Sequence, residues 1–246
     1  MKEYLKNYNK FTKLYGNENK KFIELKYESL NSKNSLHNLE QLKIWYKEQI
    51  KINKSKIKLI PLNKCKNWEV NNKEIYNKNR YFFKIKGVRS FNTSKREVGS
   101  KGWDQPIMIE PNNKGGILGL LRKKIKDIPH YLVQAKFEPG NYKLVQLSPT
   151  LQATFSNIKM KHGGKKPLFI EHFNMKKNKK NIIFAQWFSE EGGRLYKKRN
   201  FGMIVNTNKE IKLPKNFKWM TMYQIKKLIF LNAIVNPHLR SLVSFI

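Results

Sequence analysis

Between Gln134 and Asn157 the chain sets amides and hydroxyls against apolar side chains, a pattern suited to hydrogen bonding neutral polyols and amide-like bases. With the two-residue period of a strand, Tyr131, Val133, Ala135 and Phe137 share one face while Leu132, Gln134, Lys136 and Glu138 share the other. In the next run Gln146 and Ser148 oppose Val145 and Leu147. Beyond Pro149 and Thr150, a third run sets Gln152, Thr154 and Ser156 against Leu151, Ala153 and Phe155, and ends at Asn157. Two readings stand for this polar face: the wall of a site, or the wet exterior of a sheet. Lysine, the default surface residue of this chain, is scarce here, which favours the wall.

A second concentration of chemistry follows the Gly192-Gly193 turn, where Arg194, Tyr196, Lys197, Lys198 and Arg199 lead into Asn200. Two of the chain's seven arginines fall in it. A guanidinium fork grips phosphate oxygens in pairs, so a pyrophosphate clamp is one reading of Arg194 and Arg199. A solvated basic surface is the other, and it suffices for Lys197 and Lys198 taken alone. Trp103, next to Gln105, and Trp219 offer flat faces for a nucleobase, or simply core bulk. Candidates for acid and base are Glu138, His162 and Tyr196, with Lys136, Gln134 and Gln146 as donors to a carbonyl oxygen. Glu138 could equally stabilise the turn at Pro139-Gly140, and His162 could be an exposed loop residue beside Gly163.

The same inventory argues against other chemistries. Only two aspartates are present, no His-x-x-x-His pair occurs, and Cys65 is the single cysteine, so a disulfide framework and a zinc or carboxylate-held metal site are not expected. No Gly-x-Gly-x-x-Gly follows a strand.

These residues need strands to hold them. Glu138-Pro-Gly-Asn141 is a turn signal that makes a hairpin of the first two polar runs, with positive φ expected at the Gly or Asn and the third strand alongside. Further strands are expected at 81–88, 106–109, 116–121, 169–173, 182–188 and 202–205. Leu36, Leu39, Leu42, Tyr46 and Ile50 mark one face of an amphipathic helix that packs or dimerises. Thr221-x-x-Gln224 is a capping box opening a second helix, with Ile225, Leu228, Ile229 and Leu231 inward. Residues 90–101 read as a polar loop. Residues 1–35 show too little periodicity to assign. The division expected is an N-terminal extension with its helix over 1–65 and a compact unit over 66–246.

At 246 residues and a net charge of +34, the chain has room for a substantial core and would attract anionic ligands. The charge comes from 44 lysines rather than arginine forks, so specific nucleic-acid reading is not expected. With neither a signal-peptide pattern nor an apolar run of the ~20 residues a bilayer needs, the chain reads as soluble and cytoplasmic, with no membrane partner.

Trp103-Asp-Gln-Pro106, Gly116-Ile-Leu-Gly119, the polar runs from Gln134 to Asn157, Ser189 to Arg194, Lys198-Arg-Asn200, Phe217 to Thr221, Asn236 and Arg240-Ser241 together resemble the NDP-hexose 2,3-dehydratases of deoxysugar biosynthesis. The resemblance spans about Leu36 to Ile246. It implies an α+β fold: a Nudix-like mixed β-sheet domain with flanking helices, preceded here by the N-terminal helical segment. It also implies a hydro-lyase that removes the C2 hydroxyl of dTDP-4-keto-6-deoxyglucose as water, giving a 3,4-diketo-2,6-dideoxy sugar nucleotide. No hydride moves and hydrogen-bond donors can polarise the ketone, so neither nicotinamide nor metal is expected. Family members usually carry two such units in tandem. One unit here implies a homodimer. A non-catalytic nucleotide-sugar binder is the alternative, with a basic nucleic-acid binder behind it.

Overall fold

The computed structural model describes residues 2–14, 20–31, 33–91, 102–110, 115–161 and 163–246. The chain begins with three helices, α1 (Lys2–Leu14), α2 (Lys20–Leu30) and α3 (Leu39–Ile52). Four strands follow, β1 (Trp68–Val70), β2 (Ile75–Asn77), β3 (Lys84–Arg89) and β4 (Asp104–Ile109), forming an antiparallel sheet in chain order.

The larger sheet has seven strands: β5 (Gly116–Ile125), β6 (Ile128–Phe137), β7 (Val145–Ser148), β8 (Leu151–Thr154), β9 (Ile182–Ser189), β10 (Arg199–Asn206) and β11 (Phe217–Met220). Its central order is β11-β6-β5-β10-β9. The β5–β10 pairing is parallel and the others are antiparallel, so the sheet is mixed. Three helices complete the fold, α4 (Phe155–Ile158), α5 (Met222–Ile229) and α6 (Pro237–Val243). The class is α+β with flanking helices, as expected.

Both faces of the large sheet are covered, so its central strands carry apolar residues on either side. Leu118, Leu120, Tyr131, Val133, Leu147 and Ile204 meet Leu42 and Trp45 of α3, Ile225 and Leu228 of α5 and Leu239 of α6. The opposite face gathers Leu121, Leu132, Met203, Val205, Phe217 and Trp219 against Phe169, Ile170 and Phe173. Each fully buried aliphatic side chain contributes about 1.5–3 kcal/mol, and these two layers make the sheet the rigid body of the molecule. Polar groups drawn into the core are paired: Trp45 Nε1 donates to Lys215 O at 3.0 Å, and Tyr46 Oη to Val145 O at 2.9 Å. The Thr221–Gln224 capping box forms in both directions at the start of α5.

α1 and α2 occupy residues whose sequence period is too poor to assign, whereas α3 lies where the Leu39, Leu42, Tyr46 and Ile50 spacing puts a helix. α2 is anchored by a buried ion pair: Arg122 of β5 meets Glu28 at 2.5 Å, and Glu28 also accepts from Tyr131 of β6.

One irregularity shapes everything that follows. From Leu121 to Ile125, β5 pairs with β6; from Gly119 back to Gly116 it pairs with β8, while β6 beyond Gln134 pairs with β7. The sheet therefore forks. Thr150 closes the fork, accepting from Leu121 N at 2.9 Å and donating to Leu132 O, so its hydroxyl substitutes for a ladder rung.

Several expectations are corrected here. The third polar strand lies beside β5 and not beside β7, because the Ser148–Leu151 link crosses the fork. Ser156 is not on that strand: Thr154 caps α4, accepting from Asn157 N at 3.2 Å, and the alternation ends there. In the β6–β7 hairpin the positive φ falls on Leu144 (61°), not on Gly140 or Asn141. Residues 170–173 form a 3-10 turn and not a strand, since Phe169 enters it at φ 64°.

Candidate active site

A polar cleft of about 210 Å³ opens on the two arms of the fork. Lys136 and Glu138 reach it from the free end of β6, and Gln152 and Thr154 from β8. Asn200 of β10, Glu190 and Lys198 from the loop between β9 and β10, and His238 of α6 close it, with Asn157 of α4 beside Thr154. Leu118, Ala153 and Leu195 supply its apolar surface.

Its polar groups are tied to one another. Gln152 Nε2 donates to Glu138 Oε1 at 2.8 Å, and Asn236 Nδ2 donates to Gln152 Oε1 at 2.9 Å. Lys136 Nζ lies 3.3 Å from Glu138 Oε1 and donates to Gln152 O at 3.3 Å, spanning the gap between the arms. Lys198 Nζ pairs with Glu110 Oε2 at 2.8 Å, and that oxygen also accepts from Gly115 N at 2.8 Å. On the third wall Asn200 Nδ2 donates to Glu190 Oε1, and His238 Nδ1 faces that oxygen at 3.4 Å. Burial pushes the His238 imidazole below its ordinary value; Glu190 and Glu138 oppose that, while Lys136 and Lys198 reinforce it.

Two ammonium groups, two carboxylates and an imidazole thus converge on a small cleft rich in amides. Such a set can polarise a carbonyl oxygen, take a proton from an adjacent carbon and hand one to a departing hydroxyl. The sequence pattern described as NDP-hexose 2,3-dehydratase matches residues 39–246. The chain belongs to that family.

Three curated relatives carry the name dTDP-4-dehydro-6-deoxy-alpha-D-glucopyranose 2,3-dehydratase. That of Saccharopolyspora spinosa is 28% identical over 95% of this chain and 46% of its own length. The Streptomyces violaceoruber protein is 31% identical over 81% of this chain and 44% of its own. For Amycolatopsis orientalis the figures are 33%, 83% and 44%. The chain spans about half the length of the curated relatives it matches. Among solved structures, a Caenorhabditis elegans Ap4A hydrolase is 12% identical, covering 52% of this chain and 92% of that one at a TM-score of 0.28.

Of the residues singled out from this family member's sequence, Lys136, Glu138, Gln152, Thr154, Asn157, Lys198 and Asn200 come together in the cleft. Others go elsewhere for visible reasons. Gln146 is buried and donates to Ala233 O at 2.8 Å, Ser148 is buried and donates to Pro149 O, and Thr150 holds the fork. Asn141 braces the hairpin through Lys136 O and Leu144 O. Gln134 stands half-buried in register with Phe217 and Ser148. Ser156 lies on α4 and does not line the cleft.

The expected clamp does not assemble. Arg194 is exposed and pairs with Glu191 at 3.3 Å. Arg199 points to the opposite face of β10 from Asn200, and its guanidinium lies 4.3 Å over Trp187. Tyr196 is outside the cleft; its backbone N–H donates to Met108 O at 2.9 Å, and Met108 N–H donates to Arg194 O at 2.9 Å, which pins this loop to β4. Trp103 Nε1 donates to Gln105 Oε1, and Gln105 Nε2 to Gly193 O at 2.7 Å, bracing the same loop. Trp219 is buried in the second core layer. His162 lies outside the described residues.

Sequence reasoning missed Glu110, Glu190 and His238. Glu110 sits 88 residues from the lysine it meets, and Glu190 meets Asn200 across the turn between β9 and β10, a pairing that no motif spacing announces. His238 did leave a trace: Asn236-Pro237 is an N-cap followed by a proline suited to the first helical turn, which places the histidine at a helix start. Among the described residues no group of three His, Cys, Asp or Glu is arranged to hold a metal ion, and no helix is long and apolar enough to cross a membrane.

Proposed function

We propose that this chain carries out, or forms half of a protein that carries out, the 2,3-dehydration of dTDP-4-keto-6-deoxyglucose. The observation that carries the reading is the convergence of Lys136, Lys198, Glu138, Glu190 and His238 on one cleft, in a chain of the 2,3-dehydratase family. At about 210 Å³ the cleft is smaller than the ~300–1,000 Å³ that takes a drug-sized ligand whole, so it suits one sugar ring with the nucleotide lying outside.

The chemistry is within reach of these groups. The C4 ketone acidifies the C3 hydrogen, and a positively charged donor beside the oxygen stabilises the enolate. Collapse of the enolate expels the C2 hydroxyl with a proton, and the resulting enol settles to a 3-ketone beside the 4-ketone. No hydride is transferred, and Lys136 or Lys198 can supply the positive charge that a metal would otherwise bring. Activity is therefore expected to survive a chelator and to need no nicotinamide.

A second copy of the unit standing where the relatives carry further chain is part of this reading, and a homodimer in the cytoplasm its simplest form. The second reading is a nucleotide-sugar binder without turnover, which the half-length match to the relatives favours. Incubating the purified protein with dTDP-4-keto-6-deoxyglucose separates the two. The first predicts loss of substrate followed by release of dTDP from the unstable diketo product. Tight dTDP binding with substrate left intact selects the second.

A further inference from the structure

We infer that His238 is the base that removes the C3 proton, and that Glu190, itself held by Asn200, is the residue that positions it. The inference rests on the dehydratase reading above and names the residues that would do its first step.

His238 is the one imidazole lining the cleft among the described residues. Its Nδ1 faces Glu190 Oε1 at 3.4 Å. A ring nitrogen facing a carboxylate keeps its proton, which leaves the lone pair on Nε2 for the substrate. The carboxylate is in turn fixed, because the buried Asn200 donates to the same oxygen. α6 and β10 carry the imidazole and the amide, so the arrangement stands on packed elements. Glu138 is less free to act as base, since its Oε1 already accepts from Gln152 at 2.8 Å and lies 3.3 Å from Lys136 Nζ.

The step balances. Nε2 takes the C3 proton as the C–H electron pair moves into a C3–C4 double bond and the carbonyl pair onto O4, opposite a lysine ammonium. The O4 pair then returns, a C2–C3 double bond forms, and the C2–O bond breaks. In a gluco-configured ring the C3 hydrogen and C2 hydroxyl lie on the same face, so the imidazolium can return its proton to the departing oxygen. Water leaves and the base is neutral again. Glu190, Glu138, Lys136 and Lys198 are the charged groups that face the ring, and burial keeps it in the neutral form that the step requires.

The test compares wild type with His238→Gln and Glu190→Gln on dTDP-4-keto-6-deoxyglucose, following substrate loss and, in deuterated water, exchange at C3. His238→Gln is expected to lose ~10²–10⁴-fold in kcat and to stop exchange, with KM little changed. Imidazole added to His238→Gly restores part of the rate. Glu190→Gln loses less, and the acid limb of its pH–rate profile moves to lower pH because the carboxylate that favours imidazolium is gone. That shift remains readable should the histidine variants fold poorly. Wild-type turnover in His238→Gln, or an unmoved acid limb in Glu190→Gln, overturns the assignment and leaves the dehydratase reading standing. A wild type that binds dTDP but never consumes substrate overturns both.

Discussion

Gln152 joins Glu138 and Asn236 through a single amide, donating to the first at 2.8 Å and accepting from the second at 2.9 Å. Three elements that leave the fork in different directions, β6, β8 and the start of α6, are thereby held in one register. Gln152→Leu keeps the bulk and removes both bonds, leaving Glu138 with Lys136 alone and the buried Asn236 amide without its acceptor, at about 1–3 kcal/mol for the buried group. For a chain of this size that corresponds to a fall of roughly 2–4 °C in Tm per kcal/mol, read by calorimetry. kcat is expected to fall further than stability alone would require, because Glu138 and the helix bearing His238 lose their common brace.

Lys198 makes a different prediction. Its ammonium is mostly buried, is held at 2.8 Å by Glu110, and lines the cleft, where the pyrophosphate joining a bound sugar to the nucleotide outside would meet it. A hydrogen bond to a charged group contributes about 1.5–3 kcal/mol, so Lys198→Met is expected to weaken dTDP binding by roughly 10- to 100-fold in titration calorimetry. Glu110→Gln should weaken it less, since the lysine stays but is no longer aimed. An unchanged Kd in Lys198→Met would place the pyrophosphate elsewhere.

The sequence made most strands of the large sheet legible: β5, β9, β10 and the Thr221 capping box all lie within a few residues of where apolar runs and turn signals put them, while the four-residue β11 lies outside every expected strand. The polar run from Gln134 to Asn157 did lead to the cleft, through Lys136, Glu138, Gln152 and Thr154. What alternation could not convey is that β6 and β8 part company at the fork, so side chains on one nominal face are divided between a wall, a ladder rung at Thr150 and a buried brace at Gln146. Arg194 and Arg199 looked alike by charge and spacing. They differ by the pleat of β10 and by the loop that β4 pins, neither of which local sequence encodes. His238 was invisible as chemistry because its partner Glu190, and the Asn200 that holds Glu190, are far from it in the chain.

The first arm of the fork depends on a glycine. A Cβ built on Gly116 would stand 2.4 Å from Ala153 O and 2.9 Å from Thr154 Cα, both backbone atoms of the neighbouring strand. Neither can step aside without parting the β5–β8 ladder. Gly116→Ala is expected to destabilise by about 1–3 kcal/mol and to lower turnover with it, as the Gln152–Thr154 wall shifts. Gly140 is the control: it has open space around it, and Gly140→Ala should stay within ~0.5 kcal/mol in denaturant melts.

The buried pair under α2 gives a prediction with a pH sign. Arg122 is 2% exposed, meets Glu28 and Glu24 at 2.5 Å each, and donates to Asn206 at 2.8 Å. Burial pushes the Glu28 carboxyl above its ordinary value, more than Arg122 and Tyr131 pull it down. Removing one partner of such a pair costs about 3–5 kcal/mol, because the remaining charge stays buried alone. In Arg122→Met the carboxyl is freed of its main opposing charge, so its folded-state value rises further. A group whose folded value lies above the unfolded one favours the folded state at low pH and gives that advantage up as pH rises. The deficit of Arg122→Met relative to wild type should therefore be larger at pH 8 than at pH 5 in denaturant titrations, and adding Glu28→Gln should recover part of it at the higher pH. A deficit independent of pH would mean that Arg122 stabilises the helix by packing alone, and that the charge on Glu28 plays no part.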